Sequence, residues 1–158
     1  MNANIQINEA SSKFRDVLIA PMHTAEHLLN GTMVKMIGCK RSRNAHIERK
    51  KSKCYYPLAQ PLTQEQLQEI ENTINGMIEQ DLPVTYEFIP AQEASAIYDL
   101  ERLPEDASEM LRIVHIGDYD ACPCVGAHVE RTSQIGRFRI SSSRYQDGVQ
   151  RIVFRLDQ

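Results

Sequence analysis

Downstream of Pro21 apolar residues return at three- and four-residue spacing: Leu28, Leu29, Met33, Met36 and Ile37 mostly fit one stripe of an α-helix. Pro21 suits a first helical position, where its missing N–H has no partner to lose, and Gly38 is a suitable stop. Asn30-Gly31 weakens the middle of this element. A second periodic stretch, Leu67, Ile70, Ile74 and Met77, follows Thr63 and Gln66 in capping-box spacing and carries acids on its outer face. Between the two, residues 46–48 and 54–58 read as strands of a hairpin whose basic tip is 49–53. Further on, 83–88 alternates as a strand, 90–98 fits a short helix, and 111–116 is apolar enough for a buried strand, with 117–124 a loop at its end. Residues 138–142 and 149–156 form a hairpin closed by Asp147-Gly148, a pair suited to a primed turn. Residues 2–20 are short and mixed, an extended piece or turn before the first helix. These elements predict an α+β fold, a mainly antiparallel sheet packed against two long helices, without internal repeat.

Length adds that residues 1–158 make one domain's worth of chain, enough to bury a core without staples. The 42% hydrophobic and 25% charged fractions are those of an ordinary soluble protein. No stretch reaches the roughly 18 consecutive apolar residues of a membrane span, and residues 1–9 lack a signal-peptide core, so a cytoplasmic protein is expected. The cysteines at 39, 54, 122 and 124 make no CxxC pair, which favours free or metal-bound thiols over disulfides.

Charge is unevenly spread beneath a net value of −3. Residues 35–53 hold eight basic side chains against Glu48 alone, residues 131–155 hold six arginines, and 61–110 carries twelve acids against Arg102. Two basic stretches separated by an acidic one predict a dipolar molecule with a side that faces phosphates.

The candidate chemistry lies in two pairs about a hundred residues apart. His23 and His27 are four apart, which puts both imidazoles on one face of a helix. Cys124 and His128 add a thiolate and a third imidazole, and a His/His/Cys/His set suits tetrahedral zinc. One Zn2+ held by these four residues is the expectation; Cys122 is read as a bystander and His46 and His115 as non-ligands. Glu26, with Thr24 beside it, is the candidate catalytic group near the metal.

The segments His23-Thr24-Ala25-x-His27-Leu28-Leu29, Cys124 to His128-Val129, Arg131-Thr132 to Ile135-Gly136, and Gly148-Val149 with Arg151-Ile152 resemble the editing domain of alanyl-tRNA synthetase and its small free-standing relatives. The resemblance covers roughly residues 20–155 in family order. It implies the synthetase editing fold, zinc on the four residues named, and hydrolysis of mischarged tRNA for alanine, chiefly seryl and sometimes glycyl. With no counterpart of the aminoacylation domain or of the extra domain of longer free-standing forms, it further implies a trans-editing protein. The chain departs from the family's common Cys-Gly-Gly-Thr-His at Val125 and Ala127, losing a hydroxyl beside the metal. Ser42, Arg43 and Asn44, in the loop that shapes the family's amino-acid pocket, are candidates for reading a seryl hydroxyl. Arg49, Lys50, Lys51, Lys53, Arg137, Arg144 and Arg151 are candidates for holding acceptor-stem phosphates. Two rival readings share the zinc: a non-catalytic tRNA-binding module, and a metalloprotease of the His-x-x-Glu-His type built on His23, Glu26 and His27.

Overall fold

The computed structural model describes residues 17–100 and 109–158. Helix α1 spans Ala20–Thr32 and runs on into one π-helical turn, Met33–Ile37, that stops at Gly38 in the left-handed conformation. Its proline sits in the first turn as expected, but the helix is more than an amphipathic stripe. Every residue from Ala20 to Thr32 except Pro21 and Glu26 is buried. Its two buried threonines are satisfied locally, Thr24 and Thr32 each donating a hydroxyl to the carbonyl four residues back.

A hairpin of β1 (Asn44–Ile47) and β2 (Ser52–Pro57) follows. It begins two residues earlier than the sequence pattern placed it, so Lys53 lies within a strand rather than at the tip, which is 48–51. Helix α2 (Gln64–Glu79) opens with the expected capping box of Thr63 and Gln66 and buries Leu67, Ile70, Ile74 and Ile78. Then come β3 (Val84–Pro90), the short α3 (Ala91–Ile97), β4 (Met110–Ile116), β5 (Asp120–Pro123), a 3-10 turn at Thr132–Ile135, and the long hairpin of β6 (Arg137–Gln146) and β7 (Val149–Asp157). Asp147 and Gly148 both take positive φ (53° and 77°), the primed turn their sequence called for. Part of the expected 117–124 loop is strand: a tight turn at Gly117–Tyr119 returns the chain antiparallel to β4, because β5 extends the sheet and hides Asp120 and Cys122.

The fold is α+β with two antiparallel sheets, one ordered β1-β2-β7-β6 and one β3-β4-β5. The core fills the space between α1, α2 and the inner face of the four-stranded sheet, with Tyr56, Phe138 and Phe154 its largest fully buried side chains. Strand β6 ends that sheet, and α2 covers its edge: Asn75 pairs with both the N–H and the carbonyl of Phe138 (2.8 Å each), and Glu71 accepts from Ile140 N (2.8 Å). The three-stranded sheet brings β5 against α1, where its residues meet the histidine face. No helix among the described residues is long and apolar enough to cross a membrane.

Candidate metal centre and cleft

The two histidines of α1 and the segment after β5 converge. Ligand atoms of His23, His27, Cys124 and His128 all lie within 4.8 Å of one another. Cys124 Sγ is 3.3 Å from His23 Nε2, and His128 Nε2 is 3.1 Å from His27 Nε2. The His23 and His128 rings stack at 4.4 Å. Ring nitrogens this close are either bridged by one proton or share a cation, and a thiolate with three imidazoles is a zinc donor set, so the residues present fit that ion. Cys124 supports the fit: burial would raise its pKa, but hydrogen bonds from His128, His23 and His27 hold it far below an ordinary thiol. His128 is pushed down to about 4 by burial and by the neighbouring histidines, which leaves it neutral, the ligating form, near pH 7.

Two side chains fix the 124–128 segment to the scaffold. Arg112 of β4 donates to Cys124 O (2.7 Å) and to Gly126 O, with its guanidinium 4.6 Å from the centre of the Tyr86 ring. Thr24, fully buried on α1, accepts a hydrogen bond from Val129 N (3.1 Å) while donating to Ala20 O. Its hydroxyl is thereby spent on holding the His128 end of the segment against the helix.

Beneath His27 lies a group that the sequence pattern did not single out. Cys122 is no bystander: its Sγ is 3.1 Å from His27 Nδ1, and Asp120 Oδ2 is 3.8 Å from the same nitrogen. Arg41 grips both oxygens of Asp120 (2.7 and 3.1 Å). His27, Asp120 and Cys122 are close enough together to hold an ion themselves. Since the Arg41 guanidinium already occupies both carboxylate oxygens, we read Asp120 and Cys122 as an outer layer that orients the His27 ring, with Nε2 turned to His128. Burial alone would raise Asp120, but hydrogen bonds and charge from His27 and Arg41 bring it down to about 2. Burial alone would lower His27, yet the Cys122 charge and the Asp120 and cysteine contacts leave it well above an ordinary histidine. Gly31 explains itself here: a Cβ at that position would stand 2.8 Å from Asp120 Oδ1. A signal for Asp120 and Cys122 was available, since with Cys124 they alternate at the strand period of two. Arg41 was visible only as one more member of a basic stretch.

The metal-capable cluster opens onto a cleft of about 1290 Å³, bounded by α1, the 39–47 segment, residues 97–100 and the β4–β5 turn. Glu26 faces it, with Oε2 3.6 Å from His23 Nε2 and Oε1 accepting from Asn30 Nδ2 (3.1 Å). Asn30 is buried and fixed in turn, its Oδ1 taking hydrogen bonds from Tyr56 OH (2.7 Å) and Ser42 N (3.0 Å). Ser42 and Arg43 line the cleft, but the Ser42 hydroxyl is bonded to Asn44 O and Tyr55 N, and Arg43 pairs with Asp99 (2.9 Å). Asn44 is not part of the lining: Ala45 and Ile47 point into the cleft, so alternation puts Asn44 and His46 on the other side of β1. His115 lines the cleft against Glu87 (2.8 Å), and neither it nor His46 joins a metal-capable group among the described residues.

Of the expected phosphate contacts, Arg49, Lys50 and Lys51 sit in the β1–β2 turn, whereas Lys53, Arg137, Arg144 and Arg151 lie on strands of the four-stranded sheet.

Comparison with known proteins gives the arrangement a lineage. Residues 111–153, from β4 through the metal segment into β7, match the family model described as the threonyl and alanyl tRNA synthetase second additional domain. The chain is 33% identical over 132 residues to an alanine–tRNA ligase of Treponema denticola, covering 82% of this chain and 22% of that protein. It is 34% identical over 148 residues to the alanine–tRNA ligase of Halorubrum lacusprofundi and 32% over 143 to that of Thermococcus kodakarensis, each time 84% of this chain and 15% of the relative. The chain thus spans about a fifth or less of the length of these relatives. At this identity over most of its own length, with the Cys124–His128 segment inside the matched region, the chain is an alanyl-tRNA synthetase editing-domain-like protein.

Proposed function

We propose that this chain is a zinc-dependent deacylase that hydrolyses mischarged tRNA for alanine in trans, in the cytosol, as one editing-like domain, with the seryl ester as its first substrate and the glycyl ester as its second. The observation that carries the reading is the placement of His23, His27, Cys124 and His128 at the wall of a cleft into which Glu26 projects. Zinc held by these four residues would act as a Lewis acid for an ester carbonyl or lower the pKa of a water. Because four protein ligands fill a tetrahedral shell, either use would need a fifth position or release of one ligand.

The rest falls to the chain's own groups. Glu26 Oε2 accepts the proton of an attacking water, and Asn30, locked by Tyr56 and Ser42, fixes the carboxylate that does so. Thr24 positions rather than reacts. Arg112 and Thr24 hold the 124–128 segment so that the thiolate and the third imidazole keep their places. Discrimination between serine and alanine requires a polar cleft group that pairs with the extra hydroxyl, because a site built to bond a hydroxyl rejects the analogue without it. Ser42 and Arg43, both in the cleft lining, are the candidate readers, each by exchanging a present partner for the hydroxyl. The cations Arg49, Lys50, Lys51, Lys53, Arg137, Arg144 and Arg151 supply attraction for acceptor-stem phosphates without sequence reading.

The test is release of serine from seryl-tRNA for alanine beside release of alanine from the alanyl form, by native protein and by a Cys124→Ala/His128→Ala double variant. Selective serine release that the folded double variant loses supports the reading. Absence of release by folded, zinc-loaded native protein sinks it for that substrate and favours the non-catalytic tRNA-binding module. Peptide hydrolysis lost on Glu26→Gln would favour the metalloprotease, whose motif does not account for Cys124 and His128.

A further inference from the structure

We propose that the open face of the four-stranded sheet binds the backbone of an RNA duplex, across a row of arginines set against one another. One face of this sheet is buried on the helices; the residues that alternate to the other face include His46 of β1, Lys53 and Tyr55 of β2, Arg151 and Arg155 of β7, and Arg137, Arg139 and Arg144 of β6. That gives six cations, met by the single carboxylate of Asp157, which sits opposite Arg137 and pairs with Arg139 at 3.3 Å. Glu48 and Lys51 flank the patch where His46, Lys53 and Tyr55 form a shallow hollow.

Register rather than number carries the argument. Arg139 stands directly opposite Arg155, and Arg144 directly opposite Arg151. Like charges in directly opposed positions destabilise a sheet. The two rungs share a face only because of an irregularity: pairing shifts between Ile140 and Ser142, and without that extra residue Arg144 would turn to the buried side. A bulge that keeps two repelling pairs on one surface of a chain with net charge −3 calls for an anionic partner.

A duplex fits better than a single strand. Single-strand grooves stack bases on aromatic platforms, whereas among the described residues this face offers only Tyr55 with the His46 ring edge-on at 6.3 Å. Arginines at strand spacing suit phosphates along a backbone. The register line Asn44–Tyr55–Arg151–Arg144 also ends at β1, whose opposite side lines the cleft. A duplex across the sheet therefore delivers its end at the cleft's rim. Only the choice of RNA among polyanions rests on the editing reading.

The test is fluorescence anisotropy of a labelled blunt hairpin RNA over a salt series, with a DNA hairpin of the same sequence alongside. An Arg139→Ser/Arg144→Ser variant relieves both repulsions and removes two contacts. Expected are a thermal midpoint equal to or above that of the native protein, RNA affinity lower by about tenfold near 0.15 M salt, and a salt slope reduced by about two. Arg131→Ser, which removes a cation paired with Asp81 away from this face, should change neither affinity nor slope more than twofold. Native-like binding by the double variant, equal weakening by Arg131→Ser, or tighter binding of DNA overturns the proposal. Serine release is scored separately: a double variant with normal RNA affinity in a protein that deacylates refutes the sheet surface alone. Loss of RNA affinity in a protein that never deacylates refutes the editing reading alone.

Discussion

The two sheets use side-chain alternation for opposite ends. In the three-stranded sheet, β5 turns Asp120 and Cys122 inward against α1, where buried charge is tolerated because Arg41 and His27 meet it. In the four-stranded sheet, β6 and β7 turn arginines outward, where like charges stand opposed and water screens them. The first arrangement fixes one geometry and is fragile; the second spreads a charge and is tolerant. Substitutions around the His23, His27, Cys124 and His128 cluster should therefore cost much and act together, while those on the open face should cost little and couple only within an opposed arginine pair.

The largest effect is expected from His27→Ala, which removes the residue shared by the cluster and its outer layer. Zinc content after dialysis against a competing chelator should collapse, with serine release down by at least about 100-fold. Retention of a full equivalent of zinc would remove His27 from the ligand set.

Next comes Asp120→Ala, which leaves the Arg41 guanidinium facing a lost carboxylate. Because Arg41 keeps about 30% of its side chain in solvent, the loss should be nearer 2–3 kcal/mol than the full cost of a broken buried pair. Zinc affinity should fall about 10- to 100-fold. Unfolding in urea with and without zinc separates the two, and an unchanged zinc affinity would end the outer-layer role.

A smaller change, Gly31→Ala, sets helix propensity against packing. Alanine should gain about 1 kcal/mol in an exposed helix, but a new Cβ 2.8 Å from a carboxylate that Arg41 holds in place must push against it. A net loss of about 1–2 kcal/mol is expected, and a stabilised variant would mean that Asp120 can yield. The smallest is Tyr56→Phe, which deletes one hydrogen bond to Asn30 at a cost of about 1 kcal/mol. If Asn30 orients Glu26, kcat should drop a few-fold with KM nearly unchanged; an untouched kcat would make Asn30 structural only.

Much of the fold was legible because it is written at short range. The capping box, the primed turn at Asp147-Gly148 and the left-handed stop at Gly38 are decided by a few neighbouring residues. Hairpin boundaries were less legible, since 44–47 carries little apolar alternation of its own and is fixed by pairing with β2. That His23, His27, Cys124 and His128 cluster could be anticipated because helix spacing and ligand chemistry select the same positions. Asn44 and Thr24 show the limit: which side of β1 a residue occupies, and where a hydroxyl spends its bonds, depend on partners distant in the chain.

The sequence by itself determined the α+β class and most of its elements, β5 excepted, together with the His23/His27 and Cys124/His128 pairs and the unequal spread of charge, since each rests on local spacing or composition. Only the tertiary structure decided that Arg41, 79 residues from Asp120, clamps it beneath His27, that Gly31 makes room for that carboxylate, and that a bulge in β6 returns Arg144 to the open face. Those facts depend on which strand lies beside which helix and in what register. Long-range burial sets that register, and no window of neighbouring residues contains it.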